Sequence, residues 1–190
     1  DHLMQRNNCM LAGRSLTLLG VNHKSTPVEI RERMALTGGY EEALCKLKHI
    51  AGGLEFYLLS TCNRVELLFA SQGEEEIERR MIHFLFGDAI DETERLRYSY
   101  CYRDGEAVSH LFQVAASLDS LVVGEAQILG QIKEAYRYAA AHRCTGPLLN
   151  KLLHKAFSVA KRVRSETGIG SSAVSISSAA VELARKIFGR

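Results

Sequence analysis

Two short apolar runs, residues 54–59 and 65–69, flank the polar stretch Ser60-Thr-Cys-Asn-Arg64. That arrangement predicts a β-hairpin closed by a tight polar loop, and it fixes the centre around which the rest of the chain must be arranged. Residues 15–21 form another apolar strand. After a polar loop comes a helix start, with Thr26 as N-cap, Pro27 at the first helical position and Glu29 completing a capping box. A helix is expected over 40–50, with Ala43, Leu44, Leu47 and Ile50 on one face. Residues 74–86 form an amphipathic helix with an acidic start. Residues 97–103 alternate, with Tyr98, Tyr100 and Tyr102 on one face of a strand. Asp104 is expected to cap the helix that runs through His110 to residue 116. The order β, two helical pieces, β, β, α, β, α predicts an α+β, ferredoxin-like α/β sandwich.

Beyond residue 116 only helices are expected. Residues 125–142 carry the stripe Ile128, Leu129, Ile132, Tyr136 and Ala139. Residues 148–166 are strongly amphipathic, with Lys151, Lys155, Lys161, Arg162 and Arg164 opposite the apolar face. A last helix, capped by Ser171, runs from 173 to 188. The composition of 24 Lys+Arg, 22 Asp+Glu and 46% hydrophobic residues suits a folded globular chain and excludes a disordered one. A length of 190 suits one compact domain, or one domain plus a fragment of another. Residues 1–100 hold 12 basic and 15 acidic side chains and residues 101–190 hold 12 and 7, so the basic excess lies late. No apolar run is long enough for a membrane span. Residues 1–14 show no signal-peptide pattern and read as a tail, disordered or vector-derived.

The five cysteines have neither zinc spacing nor a C-x-x-C pair and suit a reduced, cytoplasmic setting. Cys62 stands apart, in the hairpin loop beside Thr61, Asn63 and Arg64. A thiol attacks as the thiolate, which a neighbouring cation and backbone N–H groups favour; the same loop is also compatible with an unreactive cysteine. His110 reads either as a packed core residue or as a base. In residues 118–131, Asp119, Ser120, Glu125, Gln127 and Gln131 interrupt an apolar run. They suit a capped helix start or a polar wall for a small substrate. Gly168-Ile-Gly170-Ser-Ser-Ala173 has the dinucleotide-fingerprint spacing but follows a basic helix rather than a strand, so it reads as a helix joint.

Several blocks, in order, resemble one family. Ser60-Thr-Cys-Asn-Arg64-x-Glu66 is similar to the active-site motif of the glutamyl-tRNA reductases. So are the stretch 18–27, Arg31-Glu-Arg33, Ser109-His-Leu-Phe112, Leu118-Asp-Ser-Leu121, Gly124-Glu-Ala-Gln-Ile-Leu-Gly-Gln131 and Ser158-Val-Ala-Lys-Arg-Val-Arg164. The resemblance covers about residues 17–188. It implies that Cys62 attacks glutamyl-tRNA to give a thioester, which NADPH then reduces to glutamate-1-semialdehyde, opening tetrapyrrole synthesis without a metal. It implies a catalytic role for His110 and substrate contacts for Thr61, Asn63, Arg64, Ser120, Glu125, Ala126, Gln127 and Gln131, with Arg64 pairing the substrate carboxylate. Residues 15–168 would be the catalytic domain and 169–190 the start of a linker helix. The NADPH domain and a homodimerisation domain would lie outside this chain, and handover to an aminomutase would follow. Without catalysis the same fold would be an RNA-binding module; without reduction it would be a Cys/His esterase.

Overall fold

The computed structural model describes residues 13–34, 36–87, 89–119, 127–166 and 169–188, with the backbone course alone for 169–177. Four strands, β1 (Ser15–Asn22), β2 (Phe56–Ser60), β3 (Arg64–Ser71) and β4 (Tyr100–Arg103), form one antiparallel sheet in the order β2-β3-β1-β4. This strand order and the two helical crossovers are those of a ferredoxin-like sandwich. Helices α1 (Val28–Met34), α2 (Gly39–Ala51), α3 (Glu75–Phe86) and α4 (Glu92–Tyr98) lie between the strands in sequence. Helices α5 (Asp104–Ala115), α6 (Gln127–Ala141), α7 (Pro147–Ser165) and α8 (Ile169–Phe188) follow the last strand.

Because side chains alternate along a strand, the sheet has two cores. Leu19, Val21, Phe56, Leu58, Val65, Leu67 and Phe69 pack with Ile30 and Met34 of α1, Leu44 and Leu47 of α2, and Met81 of α3. Leu16, Leu18, Tyr57, Leu59 and Leu68 pack with Leu111 and Phe112 of α5, Ile132 of α6, Leu152 of α7 and Leu183 of α8. Helix α6 packs against the edge strand β2. The Phe56 N–H donates to the Cys144 carbonyl at 2.9 Å, occupying a backbone donor on the sheet edge.

Several local expectations are corrected. Thr26 does not cap α1; its hydroxyl donates to the Tyr98 carbonyl at 2.7 Å, tying the β1–α1 connection to the end of α4. Asp104 does not cap α5. Its carboxylate accepts from the Leu16 N–H at 2.9 Å and the Ser15 hydroxyl at 3.1 Å, anchoring the start of β1. Tyr98 is the last residue of α4 and packs with the first core, away from Tyr100 and Tyr102. Helix α4 itself was not anticipated, although Asp91 and Glu94 form a complete capping box. Helix α8 begins at Ile169, so its backbone is already helical at Ser171 and Gly170, where a cap and a joint were expected. Gly168 lies outside the described residues, and nothing is described of the Ser171 side chain.

Candidate active site

The β2–β3 loop holds Cys62 at its tip. The Thr61 N–H donates to the Arg64 carbonyl at 2.8 Å, closing the turn, and the Thr61 hydroxyl oxygen accepts the Asn63 and Arg64 N–H groups at 3.2 Å each. Neighbouring elements hold the loop from outside. The His23 N–H donates to the Asn63 carbonyl at 2.9 Å, and Arg31 Nη1 donates to the Cys62 carbonyl at 2.5 Å. Tyr40 receives the Ser60 N–H at 2.9 Å. The Cys62 side chain remains exposed. It borders a cleft of about 40 Å³ lined by Thr61, Cys62, Asn63 and Arg64, with His23 from the β1–α1 connection and Gln127, Ile128 and Gln131 from α6.

Behind the cleft lies a buried polar network. Arg64 is 1% exposed. Its Nη1 donates to Glu66 Oε1 at 2.8 Å; its Nη2 donates to the Asp119 carbonyl at 2.7 Å and to Asp119 Oδ2 at 3.0 Å. Asp119 Oδ1 also receives Lys24 Nζ at 2.5 Å. Glu66 Oε1 further accepts from the Tyr100 hydroxyl at 2.5 Å and from His110 Nε2 at 2.7 Å. The His110 ring sits against Tyr100 and Tyr102, with centroids 5.1 and 4.8 Å away.

The electrostatics follow from these contacts. Burial by itself would raise the Glu66 carboxyl, but His110, Arg64 and the Tyr100 hydroxyl outweigh it and hold it down to about 2. Glu66 is therefore an anion at neutral pH, and His110 presents a protonated Nε2 to it. Burial beside that anion pushes the Tyr100 hydroxyl far up, so it remains a donor. Burial works against the Asp119 carboxylate too, yet Lys24 and Arg64 keep its carboxyl below the ordinary range. Burial and the positive charges of Arg64 and Lys24 lower the His23 imidazole, keeping it neutral beside the cleft.

Gly20 makes the network possible. It sits in register between Glu66 on β3 and Tyr100 on β4. A Cβ there would stand 2.8 Å from Glu66 Cγ and from the Val65 carbonyl oxygen, and 3.0 Å from the Tyr100 ring. The absent side chain leaves room for the phenol to cross β1.

Of the residues expected at the site, the structure gathers Thr61, Cys62, Asn63, Arg64, Gln127 and Gln131 around one cleft. His110 is not in its lining and connects to it through Glu66 and Arg64. Ser120, Glu125 and Ala126 lie outside the described residues. Glu66, Tyr100, Lys24 and Gly20 have no role in the sequence reading, and Asp119, read there as a helix cap or part of a polar wall, instead binds Arg64 and Lys24. The one local signal was Arg64 and Glu66, two apart and thus on one face of a strand. Among the described residues no cluster of His, Cys, Asp or Glu is arranged to hold a metal, and no helix is long and apolar enough to cross a membrane.

Fold and site together define an α+β sandwich that presents an exposed cysteine on a hairpin tip, above a buried charge network. Residues 19–167 match the family model described as glutamyl-tRNAGlu reductase, N-terminal domain. The chain is 61% identical over 176 residues to "Glutamyl-tRNA reductase" of Desulfotalea psychrophila, covering 93% of this chain and 41% of that protein. It is 52% identical over 178 residues to the protein of that name from Nitratidesulfovibrio vulgaris, covering 93% and 40%. The solved glutamyl-tRNA reductase from Methanopyrus kandleri superposes with a TM-score of 0.66 at 31% identity, over 90% of this chain and 39% of that one. The chain belongs to the glutamyl-tRNA reductase family and corresponds to its N-terminal domain. It spans about two-fifths of the length of the curated relatives it matches.

Proposed function

We propose that this chain performs the acyl-transfer half of glutamyl-tRNA reduction. The Cys62 sulfur attacks the ester carbonyl that joins glutamate to the tRNA ribose. A carbon–sulfur bond forms, the carbon–oxygen bond to the ribose breaks, and the thiol proton leaves with the freed ribose hydroxyl. The product is a glutamyl thioester on Cys62. The observation that carries this reading is the exposed thiol on a loop pinned from three sides, opening onto a cleft that also holds Asn63, Gln127 and Gln131. A fixed loop holds the nucleophile against its carbonyl, and the amide side chains supply donors for the carbonyl oxygen and the substrate.

Arg64 is the proposed partner of the substrate carboxylate. Both of its terminal nitrogens are engaged within the protein, so the incoming carboxylate displaces Asp119 from Nη2 while Glu66 keeps Nη1. His110, held through Nε2 by Glu66, keeps Nδ1 for proton exchange. Ser120, Glu125 and Ala126 complete the substrate contacts in this reading. Residues 15–168 form the catalytic unit, and 169–190 begin a linker helix.

The family's name implies a reductant, and we assign NADPH to the whole reaction, which yields glutamate-1-semialdehyde for tetrapyrrole synthesis. The described residues do not fit that cofactor. All three strand pairings are antiparallel, so they contain no parallel βαβ unit with a glycine-rich turn. A cytoplasmic homodimer that hands its product to an aminomutase completes the proposal.

The test is intact-mass analysis after mixing the chain with glutamyl-tRNA. A glutamyl adduct on Cys62, absent from Cys62→Ser, is expected. An unmodified Cys62, or an adduct on Cys45 or Cys101, would refute the reading.

A further inference from the structure

Charge is unevenly shared between the two helical layers. Helices α1 to α4 carry eight Lys/Arg and nine Glu. Their exposed cations are partly neutralised locally: Lys46 pairs with Glu42 at 2.6 Å, and Arg79 and Arg80 both pair with Glu76. Helices α6 and α7 carry seven Lys/Arg and one acid, Glu134. Only Arg162 among those seven forms an ion pair among the described residues, with Glu166 at 3.3 Å. Lys133, Arg137, Lys151, Lys155, Lys161 and Arg164 are exposed and form no ion pair among the described residues, although Lys155 shares a groove with Glu182 of α8. A solvated helix face with ordinary i,i+4 pairing would resemble α3; α6 and α7 do not.

An aromatic seam runs between α6 and α7, with Lys133 against it. The Tyr136 hydroxyl donates to Asn150 Oδ1 at 2.9 Å and meets His154 Nε2 at 3.2 Å. Lys133 Nζ lies 5.8 Å from the centre of the Phe157 ring, and Tyr136, His154 and Phe157 meet edge to face. Lys161 and Arg164 continue the α7 stripe of His154 and Phe157 at helical spacing. These contacts set α6 and α7 antiparallel, so Lys161 and Arg164 approach the α6 end that supplies Gln127 and Gln131 to the Cys62 cleft. From His154 to Arg164 this stripe runs about 15 Å at 1.5 Å per residue.

We propose that the α6–α7 seam holds the sugar–phosphate backbone of a tRNA beside its unpaired 3′ end, leading that end to Cys62. This rests on the reading that glutamyl-tRNA is the substrate. Unpaired lysines and arginines attract phosphates without regard to sequence. Half-exposed aromatic rings among them offer stacking surfaces for unpaired bases. One continuous element, α6, joins this surface to the cleft.

The experiment measures binding of fluorescently labelled, uncharged glutamate tRNA to the 190-residue chain across a KCl series. The double variant Lys161→Glu, Arg164→Glu is compared with Arg79→Glu, Arg80→Glu, which makes the same charge change on α3. Thermal melts verify that both variants fold. The seam variant is expected to bind at least about tenfold more weakly, with a log–log salt slope shallower by about 1.5. The α3 variant is expected to bind within about twofold of the parent. Equal weakening in both, or no change in the seam variant, overturns the seam while leaving acylation of Cys62 untouched. If the parent chain binds no tRNA even at low salt, both the seam and the RNA-substrate reading fall.

Discussion

On β3, Val65, Leu67 and Phe69 face α1 to α3, while Arg64 and Glu66 face the opposite way, toward α5 and Asp119. The two faces come from the same strand and are equally buried, yet they solve different problems. The first is filled only by dispersion and hydrophobic burial, where shape is the sole requirement. The second begins apolar at Leu16 and Leu18 and turns ionic at the end that supports the Cys62 loop. Buried ions contribute little net stability, because removing them from water costs about as much as their attraction returns. What they supply is direction: Arg64 ties β3 to Asp119, and Glu66 ties it to His110 and Tyr100. An apolar contact tolerates sliding, whereas a network of directed hydrogen bonds does not.

The largest test of this contrast is Arg64→Leu. It leaves Glu66 and Asp119 facing each other without their shared cation and should cost about 3–5 kcal/mol in urea unfolding, with Cys62 acylation lost. Adding Glu66→Leu should recover only part of that stability, because Tyr100 and His110 lose their acceptor, and none of the acylation. If acylation also returns, the ionic face has no positioning role. Leu67→Ala, on the apolar face, should cost about 2–5 kcal/mol and leave the folded molecules reactive.

Acid sharpens the same comparison. Glu66 has its carboxyl depressed to about 2 in the fold and about 4.3 in an unfolded chain. Its contribution is complete above the unfolded value and disappears as pH falls from about 5 toward 2, on the order of 3 kcal/mol. Asp119 adds in the same direction. Unfolding measured over that range should slope steeply for the parent and more gently for Glu66→Gln; parallel slopes would show that the anion is not held as described. Smaller still is Tyr100→Phe, which keeps the ring against His110 but removes one donor from Glu66, costing about 1.5–3 kcal/mol. Its apolar counterpart, a hydroxyl lost from Tyr57, should cost nothing, because that buried hydroxyl has no partner among the described residues.

Much of this was legible in the chain. The β2–β3 hairpin, α6 and α7 follow from apolar spacing, and the Cys62 loop stands out because its polar residues sit between two apolar strands. Gln127 and Gln131 were legible as one helix face, and both line the cleft. Helix α4 was missed because it buries no residue and so leaves no apolar stripe, although its Asp91–Glu94 box was there to be seen. Val181 on the last helix is exposed, whereas Ile187 of the same helix is buried in the second core.

The sequence by itself determined most of the strands and helices, where the Cys62 loop is presented, and which family the chain resembles, because these depend on residues close together in the chain. Only the tertiary structure decided what the polar residues bind. Thr26 and Asp104 have the chemistry of caps, but the fold directs them to partners 72 and 88 positions away. Glu66 finds His110 across 44 residues and Arg64 finds Asp119 across 55. A hydrogen-bonding group carries no record of its partner along the chain; that choice follows from which strands lie side by side, and at Gly20 from the side chain that is absent between them.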